Sequence, residues 1–175
     1  MSRDEGAPES LVSVVMVTHN SSAALQWSLP KLLAFPHVVI VDNASGDNTV
    51  AMIRQQLPHA TIIASRENLG FGRGNNLGLE RVDTPFALLL NPDCTLCDGA
   101  LAELVLAAKR YPEAAMLSAR LYNPDGTAER SYDRAFLNDA GRGPQLEPCG
   151  DLCAEFLVGT GLMLRMDALR KIGLL

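Results

Sequence analysis

Asp93 closes the run Leu88-Leu89-Leu90-Asn91-Pro92-Asp93, in which an apolar, strand-forming stretch ends abruptly on a carboxylate two residues after an amide. Open α/β sheets bind ligands outside the carboxyl ends of their strands, so an acid at the mouth of a buried strand is a candidate for chemistry. The tripeptide alone says little. Asn-Pro-Asp is an ordinary turn sequence, and Asn123-Pro124-Asp125-Gly126 reads as such a turn. Two upstream blocks give the first copy its weight: Val41-Asp42-Asn43-Ala44-Ser45-Gly46-Asp47 and Asn68-Leu69-Gly70-Phe71-Gly72-Arg73-Gly74-Asn75-Asn76. Thr, Asn and backbone N–H groups in such loops suit a base and a ribose, and a carboxylate there accepts from ribose hydroxyls or an imide N–H. Asp93 can hold a hard divalent cation against a diphosphate, whose oxygens complete the shell together with water.

These residues need a scaffold that gathers them, and the hydrophobic pattern supplies one. Residues 11–18 form a β-branched apolar run, followed by a helix from Ser21 or Ser22 toward Phe35, bent by Pro30. Strands are predicted over 38–42, 61–64, 86–90 and 115–119. Helices are predicted over 47–57 with Asp47 as cap, 72–82, and 98–111 with Leu101, Leu104, Val105 and Ala108 facing inward. Strands separated by single helices imply right-handed crossovers, hence an α/β fold: a mostly parallel sheet with helices on both faces. The loops after the first four strands must then meet at one sheet edge: Thr18-His19-Asn20, Asp42 to Ser45, Asn68 to Arg73, and Asn91 to Asp93. Residues 123–148 are polar and rich in Gly and Pro, and read as a long loop or lid. Strand character resumes over 155–158 and 161–165, around Gly159-Thr160-Gly161. Asp167 is expected to cap a last helix over 168–172.

Composition narrows the classes. At 175 residues and 47% hydrophobic, the chain can bury one sizeable core, so residues 11–175 are read as one domain behind a disordered tail, residues 1–10. A net charge of −5, with no basic run, argues against nucleic acid as a partner. No apolar run reaches the roughly 20 residues of a membrane span. The polar start lacks a signal-peptide layout, which predicts a cytoplasmic protein and leaves room for peripheral attachment at the inner face of the membrane. Cys94, Cys97, Cys149 and Cys153 have zinc-like spacing, but reduced cytosolic thiols acting as small apolar side chains are the preferred reading.

Taken in order, Thr18-His19-Asn20, the Val41–Asp47 block, the Asn68–Asn75 block, Leu90-Asn91-Pro92-Asp93 and Gly159-Thr160-Gly161 resemble the family 2 inverting glycosyltransferases, especially their bacterial rhamnosyltransferase-like branch. The resemblance spans residues 12–175. It implies the Rossmann-like GT-A fold, a nucleoside diphosphate sugar donor and a divalent metal, Mg²⁺ or Mn²⁺. Transfer would go, with inversion, to a hydroxyl of a bacterial glycan or lipid-linked glycan. The favoured donor is dTDP-rhamnose, with UDP-sugars close behind. On this resemblance Asp42 contacts the nucleobase or ribose, and Thr18, His19 and Asn20 line the same pocket with Asn43. Asn68, Gly70, Arg73 and Asn75 run along the nucleotide. Asn91 and Asp93 occupy the place of the Asp-x-Asp metal motif, with Asn91 where many relatives carry the first aspartate. The family's general base sits in a downstream acidic block, expected beyond Leu175.

Several residues carry a plainer reading beside the functional one. Asp151 and Glu155 are the nearest acids before Gly159, and loop surface charge explains both. Arg73 can neutralise a diphosphate or simply be a solvated first-turn arginine. Gly70, Gly72 and Gly74 can cradle phosphate or allow close helix packing. Trp27, at helical spacing, is expected in the core. Two rivals stand against an active transferase: a noncatalytic nucleotide-sugar-binding fragment or subunit, and a nucleotidyltransferase, against which the lack of a basic glycine-rich N-terminal loop speaks.

Overall fold

The strand-forming runs and helical stripes assemble into one six-stranded sheet covered on both faces. The computed structural model describes residues 6–129, 132–133, 151 and 156–175. A 3-10 turn (Pro8–Leu11) leads into β1 (Val12–Thr18), α1 (Ser22–Leu32), β2 (Val38–Asn43), α2 (Thr49–Gln56), β3 (Thr61–Ser65), α3 (Gly70–Leu79), β4 (Phe86–Leu89) and α4 (Ala100–Arg110). Then come β5 (Met116–Ser118), β6 (Leu121–Tyr122), β7 (Ala128–Glu129), β8 (Tyr132–Asp133), β9 (Phe156–Leu157), β10 (Leu162–Arg165) and α5 (Met166–Ile172). The sheet order is β3-β2-β1-β4-β10-β5, and β6-β7 and β8-β9 form separate two-stranded pairs.

β1 to β4 are parallel, in registers that set Thr18 opposite Asp42 and Asn43 opposite Ser65. Their carboxyl ends therefore share one edge, as the crossover argument requires. The sheet is mostly parallel, as the sequence reading has it, with one exception: β10 inserts between β4 and β5 and pairs antiparallel with both. Strand polarity there is set by a partner far along the chain, which local pattern does not encode.

Alternation along the buried strands feeds two cores. Val12, Val14 and Met16 of β1 pack with Leu25, Leu29 and Leu32 of α1, Ile53 of α2 and Leu101, Leu104 and Val105 of α4. On the opposite face Val15 packs with Leu79 of α3 and with Leu162, Leu164 and Leu169. The α1 stripe repeats at positions i, i+4 and i+7, so Trp27 falls on the outer side and is 77% exposed, against the expectation of burial. α4 begins at Ala100 behind Gly99, whose φ of +82° is a left-handed conformation, so Asp98 lies outside the helix it was expected to open. Lys31 and Asp98 approach to 3.9 Å, but with side chains 61% and fully exposed the pair adds little. α5 starts at Met166, which places Asp167 in its first turn rather than at its cap. Arg165, at the end of β10, donates to the carbonyls of Ala108, Tyr111 and Ala114 and so ties the C-terminus of α4 to the sheet.

α3 sits unusually close to the sheet because Gly78 has no side chain. A Cβ at Gly78 would run into Cγ1 of Val15 in β1, whereas Gly72, one and a half turns earlier, faces open space. Gly78→Ala is expected to cost about 1–3 kcal/mol through overpacking. Gly72→Ala should be neutral or stabilise by up to about 1 kcal/mol through helix propensity. Urea unfolding of the two variants, with unchanged slope, reads the difference.

Candidate functional site

The site is a set of loops at the carboxyl edge of β1 to β4, laced to one another by side-chain hydrogen bonds. Its centre is Asp42, only 3% exposed at the end of β2. A buried carboxylate is costly unless its oxygens are bonded. Here Oδ1 accepts from the Thr18 hydroxyl at 3.1 Å and from the Ser45 hydroxyl, and Oδ2 accepts from the Ser45 N–H at 3.0 Å. Three of roughly four acceptor directions are filled, leaving one for a ligand N–H or O–H.

The loop after β1 is stitched to the loop after β2 along its length. His19 Nδ1 lies 2.7 Å from the Asn43 carbonyl, Asn20 N–H donates to Ser45 Oγ, and Gly46 N–H donates to Asn20 Oδ1. Ser21 N–H donates to Thr49 Oγ1, and Ser22 N–H to Asp47 Oδ2. Asp47 Oδ1 also accepts from Thr49 N–H, so one carboxylate joins the N-termini of α1 and α2 instead of capping α2 alone. Those donors hold the Asp47 carboxyl far below the usual aspartate range, the Thr49 side chain contributing most and Ser22 next. Asn20 and Ala44 take positive φ values, 49° and 58°, strained for residues with a side chain and tolerated where loop bonding fixes the backbone.

Each residue singled out in the sequence can now be placed. Thr18 is fully buried and serves Asp42. His19 and Asn20 are exposed at the rim. Asn43 is buried and donates from Nδ2 to the Gly70 carbonyl, linking β2 to α3, while its Oδ1 is buried without a partner. Asn68 Oδ1 accepts from Gly70 N–H in a turn that opens α3 two residues earlier than expected, with Gly70 at φ +77°. Arg73 is exposed on the first turns of α3, its Nε bonded to the Leu69 carbonyl. Asn75 is 2% exposed and donates to the Phe71 carbonyl, so its amide is spent inside the helix.

The two Asn-Pro-Asp copies make an internal comparison. Both close the same turn, Cys94 N–H to Asn91 O at 3.0 Å and Gly126 N–H to Asn123 O at 2.9 Å. In the second, between β6 and β7, Asp125 is consumed by the N–H and hydroxyl of Thr127, which lower its pKa. In the first, Asp93 is exposed beside Asn91 at the mouth of β4, with the Cys94 thiol 3.5 Å from Oδ1 as the contact described on its carboxylate. Burial pushes the Cys94 thiol up, and a hydrogen bond with Thr160 partly offsets this. Among the described residues no three His, Cys, Asp or Glu side chains gather to hold a metal. Asp93 therefore fits a hard cation only where a ligand's phosphates share the coordination, as one exposed carboxylate can.

The stitching is done by Ser21, Ser45, Thr49 and Thr160; the sequence marks Ser21 as a helix start and holds Ser45 and Thr160 within its blocks, gives no sign of Thr49, and reveals the bonding partner of none. Asp151 is bonded to Arg110 at 3.0 Å on the surface, in line with its plainer reading. Glu155, Cys149 and Cys153 lie outside the described residues.

A mixed, mostly parallel six-stranded sheet with helices on both faces is the architecture this chain shares with GT-A glycosyltransferases. Residues 13–173 match the model of glycosyl transferase family 2, and the chain belongs to that family. It is 27% identical over 197 residues to the N-acetylglucosaminyl-diphospho-decaprenol L-rhamnosyltransferase of Mycobacterium tuberculosis. The alignment covers 93% of this chain and 64% of that relative, so the chain spans just under two thirds of its length. Its fold is that of S. aureus TarS in complex with UDP-GlcNAc, at TM-score 0.66 and 19% identity over 92% of this chain and 47% of the other. It also matches the Pyrobaculum calidifontis mannosyltransferase PcManGT in complex with GDP-Man and Mn²⁺, at TM-score 0.69 and 16% identity over 94% and 47%.

Asp47→Asn tests the lacing. Because the folded-state pKa is depressed, the carboxylate's contribution is full above the unfolded value of about 3.9 and is lost as pH falls through the folded one. The wild type should therefore melt higher than Asp47→Asn at pH 7, with the gap closing as pH drops below about 4. A gap independent of pH across that range would contradict the assignment.

Proposed function

We propose that this domain binds a nucleoside diphosphate sugar at the laced edge and takes part in transferring the sugar to a hydroxyl of a bacterial glycan. The observation that carries the reading is the contrast between Asp93, exposed at the mouth of β4 with only the weak Cys94 thiol described on its carboxylate, and Asp125, consumed by the N–H and hydroxyl of Thr127. Family membership and the nucleotide-sugar complexes of proteins sharing the fold support it. The likeness to a rhamnosyltransferase favours a dTDP-rhamnose donor, and that relative's name supports a lipid-linked diphosphate glycan as acceptor. Such an acceptor would bring the domain to the inner face of the membrane; no helix among the described residues is long and apolar enough to cross one.

In this reading the remaining acceptor direction of Asp42 takes an N–H of the base or a hydroxyl of the ribose, with His19 and Asn43 walling the pocket. Asn68 and Gly70 shape the start of α3, whose N-terminus lies at the same edge and favours an anion there. Arg73 lies on that first turn, within the same anionic neighbourhood. Asn91 and Asp93 hold the metal end. A divalent cation, Mg²⁺ or Mn²⁺, when bound, would neutralise the diphosphate as it leaves. Inversion requires a base on the face of the sugar opposite that diphosphate, within hydrogen-bond reach of the acceptor hydroxyl. Asp151 is engaged by Arg110 in an exposed ion pair.

Calorimetric titration with dTDP, UDP and GDP, each with Mn²⁺ or with EDTA, tests the reading. One nucleotide is expected to bind, and more tightly with metal. Asp93→Ala should abolish the metal-dependent gain, while Asp42→Ala should weaken binding of the same nucleotide even in EDTA. Full retention of the metal-dependent gain by folded Asp93→Ala would sink the assignment.

A further inference from the structure

We propose that Thr160 is a positioning residue for Asp93, acting from the far side of the sheet edge; this rests on the reading of Asp93 as the metal carboxylate. Thr160 lies in the Gly159-Thr160-Gly161 turn just before β10 and is 7% exposed. Its Oγ1 accepts from Asn91 N–H at 3.3 Å, and Thr160 is among the groups that act on the Cys94 thiol. Asn91 and Cys94 are the first and last residues of the turn that Cys94 N–H to Asn91 O closes. One buried hydroxyl thus holds the first residue of the turn whose third residue is Asp93. The hold is on the backbone of Asn91 and not on the carboxylate, where the Cys94 thiol is the contact described.

The comparison turn shows what happens otherwise. At Asn123 to Gly126 the hydroxyl comes from the next residue, Thr127, and binds the aspartate itself. At Asn91 to Cys94 the hydroxyl comes from another strand connection and binds the turn around the aspartate.

The Thr160 turn is in turn fixed by its glycines. Gly161 takes φ +61°, a left-handed conformation that a side chain would strain. A Cβ on Gly159 would lie 3.0 Å from Cζ of Phe71, so the turn slides beneath the Phe71 ring on the first turn of α3. β10 then pairs with β4, setting Leu162 opposite Leu89. The chain from Gly159 to Leu162 thereby joins α3 to the Asp93 loop. A carboxylate held in place before metal arrives loses less freedom on binding, which is how groups behind a metal ligand raise affinity.

The test uses the 175-residue chain with Thr160→Val, which keeps the volume and removes the hydroxyl, and Thr160→Ser, which keeps the hydroxyl. Each is titrated with dTDP or UDP, whichever the wild type binds, in Mn²⁺ and in EDTA, with bound Mn²⁺ read independently by electron paramagnetic resonance. Thr160→Val should raise the Kd in Mn²⁺ roughly tenfold and leave the Kd in EDTA unchanged, while Thr160→Ser stays within about twofold of wild type. Equal losses in both arms would assign Thr160 a merely structural role, and an unchanged metal-dependent gain in Thr160→Val would likewise overturn the proposal. Absence of any metal dependence in the wild type would instead strike at the Asp93 reading itself, and this inference would fall with it.

Discussion

A buried carboxylate at the paired ends of two parallel strands is the constraint from which the rest of the edge follows. Asp42 stands opposite Thr18 in the β1–β2 ladder, only 3% exposed, so most of its acceptor capacity must be met by protein donors. Thr18 and Ser45 meet it. To do so, the chain after β2 must fold back immediately, with Ala44 in a left-handed conformation, bringing Ser45, Gly46 and Asp47 against the loop after β1. The further bonds among Asn20, Ser21, Ser22, Thr49 and Asp47 close that seam. Each is worth only about 1 kcal/mol net. Together they fix the edge at which the proposed ligand would bind.

The second consequence concerns how the two halves of the sheet divide the labour. The parallel half, β1 to β4, brings the loops to one edge and places Asp42 among them. The antiparallel strand β10, wedged between β4 and β5, brings the Gly159-Thr160-Gly161 turn against the Asp93 loop. Glycines permit both approaches, Gly78 letting α3 lie close on β1 and Gly159 fitting beneath Phe71. The nucleotide end and the metal end of the proposed site are thus built by different strand polarities and joined through α3.

Much of this was legible in the sequence because burial imposes period. The inward residues of α4 and the runs of β1, β2 and β4 follow from hydrophobic spacing alone, as does convergence of their loops. What spacing could not reveal was partner choice. The antiparallel insertion of β10 depends on a pairing with residues more than seventy positions away, and a four-residue apolar run carries no mark of direction. Trp27 was misplaced because aromatic burial is an average tendency, whereas the Leu25, Leu29 and Leu32 stripe had already filled the inner face of α1. The candidate site was legible as a set of loops and less so as roles: Thr18, Asn20 and Asn75 spend polar groups on the protein itself, and short polar side chains such as Ser45 and Thr160 look alike until their partners are seen.

The most direct test of the account is a crystal structure of this chain with the nucleoside diphosphate it binds and Mn²⁺, the metal located by its anomalous scattering. The predicted result is an Mn²⁺ peak within bonding distance of the Asp93 carboxylate, with the nucleoside against Asp42. A metal peak elsewhere, or a nucleotide seated away from the β1–β2 edge, would contradict it.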